Sequence, residues 1–554
     1  MLRALTRPTH RPALAAAAIA LLLAACSDDG GNADSTTTTE AATTLAPTTT
    51  TEAAPVALFG SVDATDGPFS TLTGIVTAEV PDGATVTATI DGPGTTAETL
   101  VSTIDGGVEV QLLGLRAESD YTVTLLATSA DGEDTADITF TSGALPADLP
   151  PMDLRVNTDQ VADGITLFDA DPWGGVAEGT PSYILGLDRD GEVVWYHANP
   201  TRVEDIEVTG HHTVLFNTDD VAIREVDLLG RPVVDMATQA AVRNDRLDLA
   251  ADAVQVPIES SHHEITELPN GNLLTLSTAL VPIDPADAQR LCGRSPLNVV
   301  EDVVVEFDRE GTIVQEWKMS DYYSPADRPG SDLCVDALPI GPPGSLYDVQ
   351  VVDWTHANAA FVDEASNSLI VSLRHLDAVI AIRYADDADG PAGELLWELG
   401  PEGTIEFTDG SEPFSHQHAP EFTADGSLLL FDNGNTRPTT FPQGDLPGYS
   451  RAVAYRLDLE AGTATQVFEH RHLGDDGNPT LALFLGDANE LPNGNVAIDY
   501  GGITLGQGHF VARLVEVTAD GTVARDLHLG GEESWTVYRT CHVATLTGGE
   551  GGSD

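Results

Sequence analysis

Basic residues are scarce in this 554-residue chain: 25 Lys and Arg stand against 88 Asp and Glu, for a formal net charge of −63 at pH 7. Nearly all of the bases are arginine. Such a surface repels nucleic acid and anionic lipid headgroups, so no nucleic-acid partner is expected. The acidity itself fits tolerance of salty surroundings and an ordinary soluble surface equally well. Cysteine is also sparse, with only Cys26, Cys292, Cys334 and Cys541. None of them has the close cysteine or histidine spacing of a zinc site, so no thiolate metal centre is expected. The one conspicuous apolar run, residues 12–25, is too short to cross a bilayer.

That run follows Arg3, Arg7 and Arg11 and has the layout of a secretory signal. It ends in Leu23-Ala24-Ala25-Cys26-Ser27, which resembles the lipobox of bacterial lipoproteins. The resemblance implies that residues 1–25 are removed and that Cys26 becomes a lipidated first residue. The protein is then exported and held by a lipid anchor on the outer side of the cell membrane. Residues 26–55 are almost entirely Thr, Ala, Asp, Gly, Ser and Pro. This composition buries too little apolar surface to offset ordering entropy and reads as a disordered tether. Export permits a disulfide, expected between Cys292 and Cys334 within one long insertion, which leaves Cys541 over.

The rest of the chain reads as all-β. Residues 56–145 contain short alternating segments separated by Gly and Asp turns, such as Tyr121-Thr-Val-Thr-Leu125, and predict a small β-sandwich. Leu113-Gly-Leu-Arg-Ala-Glu-Ser-Asp-Tyr121 resembles a fibronectin type III or immunoglobulin-like domain, whose tyrosine corner precedes a late strand. A Pro-punctuated linker, 143–151, leads into residues 152–546, where one hairpin recurs. An apolar strand meets an Asp/Gly turn at Gly191, Gly230, Gly311, Gly393, Gly462 and Gly521, and the following strand often carries Trp, as at Trp195 and Trp397. Six outer hairpins predict a six-bladed β-propeller.

A second repeat precedes several of these hairpins. His263 lies eight residues before Gly271, and His418 lies eight before Gly426, while His356 opens a similar segment with a longer turn. The first strands of propeller blades line the central channel, so three histidines at one repeat position converge there. That coincidence is hard to obtain from isolated core or loop histidines. Arg374 ends the strand after His356, where a planar, permanently charged fork beside imidazoles suits a sulfate- or phosphate-like oxyanion. The spacing favours His263 over its neighbour His262 and leaves His416 competing with His418. His211, His212, Asp432 and Asn433 read as structural or supporting.

Asp353-Trp-Thr-His356-Ala-Asn358, Ser372-Leu-Arg374, Gln417-His418-Ala and Phe431-Asp-Asn433-Gly together resemble the signature of the arylsulfate sulfotransferase family across nearly all of residues 152–546. The resemblance implies transfer of a sulfuryl group from a phenolic sulfate ester to a phenol. It implies no nucleotide sulfate donor, no cofactor and no metal, and a ping-pong course through a sulfohistidine at His418. His356, His263, Asn358 and Arg374 then bind the sulfonate oxygens, and one of the histidines handles the phenol proton. Tyr538 and Arg539 fall in the closing strand by the repeat pattern, where two roles stand open: further substrate contacts at the channel mouth, and an ordinary strand. Two other readings remain open: a non-catalytic propeller that binds a ligand or partner at the cell envelope, and a metal-dependent hydrolase or lyase using the same histidines. Arg374 opposes the metal reading.

Overall fold

The computed structural model describes residues 56–548, apart from 220, 245–248, 338–342, 345, 438–447, 476 and 507. The signal, Cys26 and the tether expected at the N-terminus lie outside the described residues. Strands dominate, and the α-helices among the described residues are two short ones, Gln239–Asn244 and Pro285–Cys292.

The hairpins owe their shape to local chemistry. Asp188, Asp227 and Asp308 each accept, through Oδ1, the backbone N–H groups two and four residues onward at 2.7 to 3.1 Å. The turns close on Gly191, Gly230 and Gly311 at φ values of +81 to +85°, a conformation glycine adopts without strain.

Residues 56–141 form a four-stranded and a three-stranded antiparallel sheet. Alternate residues of Asp120–Ser129 are buried, and Val76, Val110, Leu112, Tyr121, Val123 and Phe140 pack into one core. The Tyr121 hydroxyl accepts the Arg116 N–H at 2.8 Å and donates to the Pro93 carbonyl at 3.3 Å, so the ring pins the turn before its own strand. This pair of sheets is tied to those that follow by Arg116 to Asp188 at 2.5 Å and Arg231 to Glu109 at 3.1 Å.

Six further sheets follow, with first strands Ile165–Gly174, Val203–Val208, His262–Glu267, Ala357–Asp363, His418–Phe422 and Asp487–Glu490. Consecutive first strands touch one another in that order. Both chain ends close the ring. Met152–Asn157 pairs with Val523–Leu529 of the last sheet, while Ser534–Thr536 and Thr540–Val543 pair with Ile165–Gly174 of the first. The arrangement is that of a β-propeller. Trp195, Trp317, Trp354 and Trp535 are almost wholly buried among the sheets. Burial of each Val, Leu, Ile or Phe in those layers contributes about 1.5–3 kcal/mol. Cys292 and Cys334 are bonded to each other, and Cys541 sits buried on the closing strand Thr540–Val543.

The innermost strand of each sheet, which in the first sheet is Thr540–Val543 because Ile165–Gly174 is paired on both sides, has a free edge, and its N–H groups need acceptors. Side-chain carboxylates of the preceding sheet supply them. Asp205 accepts from Ile265 N–H at 2.7 Å, Glu207 from Glu267 at 2.7 Å, Glu264 from Ala360 at 3.2 Å, Glu421 from Glu490 at 2.6 Å and Asp487 from Thr540 at 3.0 Å. Part of the chain's acidity is therefore internal and structural.

Candidate active site

The first strands are bulged near one end. Their pairing registers slip at Glu204/Ile206, His262/Ile265, Ala357/Ala359 and His418/Glu421. Left-handed backbone accompanies the slips, with φ of +47° at Asp205, +63° at His263, +46° at His356 and +47° at Ala419. A bulge turns a side chain out of the alternation of its strand, and here it turns polar groups toward the channel.

The bulges also correct the equivalence drawn from glycine spacing. His418 pairs with Phe431, five residues after Gly426, and the residue pairing five after Gly271 is His262, opposite Leu276. His263 is an extra residue of a larger bulge. Both rings line the cavity, so the choice between them dissolves. Residue counting missed this because a bulge adds a residue without adding a register step.

The cavity, of about 240 Å³, is lined by His262, His263, His356, His418 and Arg374, with Arg202, Asp302 and Asp353 beside them. Trp173, Leu346 and Phe484 form its apolar side. Trp173, Phe484 and Phe510 make an edge-packed trio with ring centroids 5.0 to 5.9 Å apart, and Trp173 keeps 49% of its surface exposed. The four residues singled out by repeat position and strand interruption thus converge on one site.

His418 is almost completely buried. The Asn433 amide nitrogen donates to the Ala482 and Leu485 carbonyls at 2.9 and 2.8 Å, so its oxygen faces His418 Nδ1 at 2.6 Å. An amide oxygen only accepts, so Nδ1 carries the proton and Nε2 keeps its lone pair. Burial first, and then the Arg374 charge, hold His418 well below the usual imidazole range. It is a neutral imidazole with a defined tautomer.

His356 faces Asp353 from Nδ1 at 2.5 Å and stacks on His375 at 4.6 Å between centroids. Arg374 opens a short 3-10 turn directly after the strand Ser368–Leu373. Its Nη2 donates to the Leu483 carbonyl at 3.0 Å, while Nε has no hydrogen-bond partner among the described residues. A buried donor without a partner is costly and marks a place for an anion. His416 is held elsewhere, with Nε2 3.2 Å from Ser331 Oγ and its N–H on Asp377 at 2.7 Å.

Asn358, Tyr538 and Arg539 do not line this cavity. Tyr538 lies just beneath it, with its ring 5.4 Å from His263 and 6.5 Å from His418. The Asn358 side chain is buried on the Gln417 carbonyl at 2.7 Å, and its own carbonyl receives Tyr538 Oη and Arg539 Nη2 at 3.2 and 2.6 Å. Arg539 reaches past that barrier into a second cavity of about 280 Å³, which Asp205, Glu207, Glu264, Glu421 and Asp487 also line. There it pairs with Glu264 at 2.9 Å and Asp205 at 3.3 Å. The expected mouth contact from Arg539 is therefore corrected: Tyr538 and Arg539 lie between the strands Ser534–Thr536 and Thr540–Val543, and the acidic half of the channel holds the cation.

Asp353, His356 and His375 each offer one atom within 4.8 Å of the others and are the group of this kind found among the described residues. Arg374, next to His375 and on the same cavity wall, opposes a cation there. Arg202, Asp302, Trp173 and Phe484 escaped sequence reasoning. Asp302 left a trace, since Glu301 and Asp302 interrupt an otherwise valine-rich buried strand, Val299–Phe307.

The family model for arylsulfotransferases (ASST) matches residues 153–539. The arylsulfate sulfotransferase AssT of Escherichia coli O6:H1 is 24% identical over a match covering 38% of this chain and 40% of that protein. The arylsulfate sulfotransferase AssT of Lelliottia amnigena is 22% identical with the same coverage, 38% and 40%. The match thus spans about two fifths of the length of these curated relatives. Among solved structures, the periplasmic gluconolactonase PpgL of Pseudomonas aeruginosa overlaps 68% of this chain and 99% of its own at 12% identity and a TM-score of 0.34. The propeller of Dos1 overlaps 69% and 95% at 8% identity and a TM-score of 0.29.

Proposed function

This chain belongs to the arylsulfotransferase family, and from that premise we propose that it moves a sulfuryl group from a phenolic sulfate ester to a phenol by a ping-pong route through His418. The observation that carries the reading is the Asn433-held tautomer of His418, which presents an unprotonated Nε2 on a cavity wall shared with an under-partnered guanidinium.

In the first half-reaction Nε2 of His418 attacks sulfur and the ester oxygen leaves with its bonding pair. Arg374 and His356 bind the sulfonate oxygens as charge shifts onto them, and His263 holds or gives the proton at the ester oxygen. A sulfo-imidazolium is a good leaving group, so one difficult displacement becomes two easier ones. In the second half-reaction the phenol oxygen attacks sulfur, the N–S bond breaks and His418 regains its lone pair. Trp173 and Phe484 provide flat apolar contact for the aryl groups.

The wider reading is of six blades, one for each sheet after residue 152, preceded by a fibronectin type III-like sandwich. It is supported by the ring closure and by the Tyr121 hydroxyl anchoring its own turn. The lipobox-like sequence at Cys26 supports an exported protein anchored by lipid at the cell envelope.

The test is incubation with a chromogenic aryl sulfate, with and without a phenol, followed by mass analysis of His418. Phenol-dependent release together with an added SO₃ on His418 is expected. Release by water alone makes the protein a sulfatase, and full transfer by His418→Ala sinks the mechanism.

A further inference from the structure

His262 has no part in the steps above, yet it is buried against the site, with Nδ1 held by a neighbouring ring and Nε2 without a hydrogen-bond partner among the described residues. Its Nδ1 lies 2.7 Å from Nδ1 of His263, and its Nε2 lies 3.4 Å from Oδ1 of Asp302. Asp302 has its oxygens divided: Oδ2 accepts Thr355 Oγ1 at 2.5 Å and the Ala357 N–H at 2.7 Å, while Oδ1 faces His262. Asp302, His262 and His263 therefore stand in file from a buried carboxylate to the cavity wall, with one step, the 3.4 Å between His262 Nε2 and Asp302 Oδ1, that must close into a hydrogen bond for a proton to pass. We propose that this file is a proton relay that takes the phenolic proton of the sulfuryl acceptor. The inference rests on the sulfotransferase reading and adds to it the group that stores the proton.

The balance closes over a full cycle: the hops run inward in the acceptor half-reaction, and in the next donor half-reaction they reverse, Asp302 returning its proton through His262 and His263 to the leaving phenolate or to water. As the acceptor oxygen bonds to sulfur, its O–H bond breaks and the proton passes to His263 Nε2. The His263 Nδ1 proton moves to His262 Nδ1, and the His262 Nε2 proton moves to Asp302 Oδ1. The N–S electron pair returns to His418, so no co-reactant is needed. The groups facing the file agree with a neutral resting state. His262 meets Glu204 from the preceding sheet, Asp353 from its own sheet and His356 from just ahead of the following one; His263 meets Arg202, His356 and His418; Asp302 meets Asp353 and His356. Burial lowers both imidazoles and, followed by the Asp353 charge, raises Asp302, which makes the carboxylate the resting place of the proton.

His262 and Asp302 act through His263 and are positioning residues, so the test separates their proton role from mere support. The probes are p-nitrophenyl sulfate as donor and a series of phenols, from weakly acidic to fully ionised at the assay pH, as acceptors. His262→Gln and Asp302→Asn should retain the donor burst, because the nitrophenolate leaves without needing a proton. They should slow transfer to un-ionised phenols by about 10²-fold and leave transfer to ionised phenols nearly unchanged. Rates are counted per burst-active site, which removes any misfolded fraction. Equal slowing for all acceptors, no slowing, or loss of the burst in both variants overturns the relay. Failure of the underlying reading looks different: the parent enzyme then shows no phenol-dependent release and no sulfate on His418.

Discussion

The two halves of the central channel are built on the same first strands but use their side chains in opposite ways. Past the barrier of Asn358 and Tyr538, carboxylates such as Asp205, Glu264 and Asp487 cap the backbone of the next sheet and share one guanidinium, Arg539. Their hydrogen-bonding capacity is spent on the fold. At the bulged end, imidazoles replace carboxylates, and Arg374 keeps an N–H without a partner. The comparison teaches that reactivity in this ring comes from polar atoms the fold leaves unused. A substitution in one half should strike catalysis, and one in the other should strike stability.

The largest expected effect is on the reactive side. Arg374→Gln should lower kcat for donor turnover by about 10²–10³-fold, since it removes a preorganised charge from the developing sulfonate. Pre-steady-state release of the chromogenic phenol measures it, and a loss under about 3-fold would remove Arg374 from the anion site. On the structural side, Arg539→Met should cost about 3–5 kcal/mol in urea unfolding, because Glu264 and Asp205 stay buried without their cation. Should this variant fold normally and lose turnover instead, the division between the halves is wrong.

Acid should expose the same contrast. His262, His263, His375 and His418 are held below the ordinary imidazole range, by burial first of all. The unfolded chain therefore binds more protons than the native one once the pH drops below about 6.5. The stability these neutral imidazoles contribute is fully present above that value and is lost as pH falls toward their depressed folded values. Buried Asp169, Asp302 and Asp499, raised above the usual carboxylate range by burial, act in the opposite direction, so the histidine share is read as a difference: the melting temperature of His375→Gln relative to the parent should rise as pH falls through that window. The smallest effect is expected at the rim. Trp173→Ala should raise KM for the aryl donor about 5-fold with kcat little changed, in keeping with one lost aromatic contact. An unchanged KM would place the aryl group elsewhere.

Much of this architecture was readable because it rests on local rules. Asp-x-x-Gly turns, alternating strands and recurring tryptophans disclose the repeats, and repeats disclose which residues share a radius. His356, His418 and Arg374 could be found that way. Glycine spacing ranks His263 above His262 because it does not register the bulge, whose size is set by pairing with Leu273–Val281. Asp302 and Arg202 lie outside the repeat position: Asp302 stands two strands away in the sheet of His262, and Arg202 just ahead of the strand Val203–Val208 in the preceding sheet. Arg539 could be placed at neither end of the channel from spacing, because the chain between Ser534–Thr536 and Thr540–Val543 follows no strand alternation.

By itself, the sequence determined the kind of fold and the kinds of reactive group, since periodicity, turn residues and imidazole chemistry act over a few neighbouring residues. Tertiary structure alone decided which nitrogen of His418 is free, which carboxylate stands behind His262, and which half of the channel is consumed by backbone capping. Each of those outcomes depends on contacts between residues from 15 to 96 positions apart, brought together by pairing within and between the sheets.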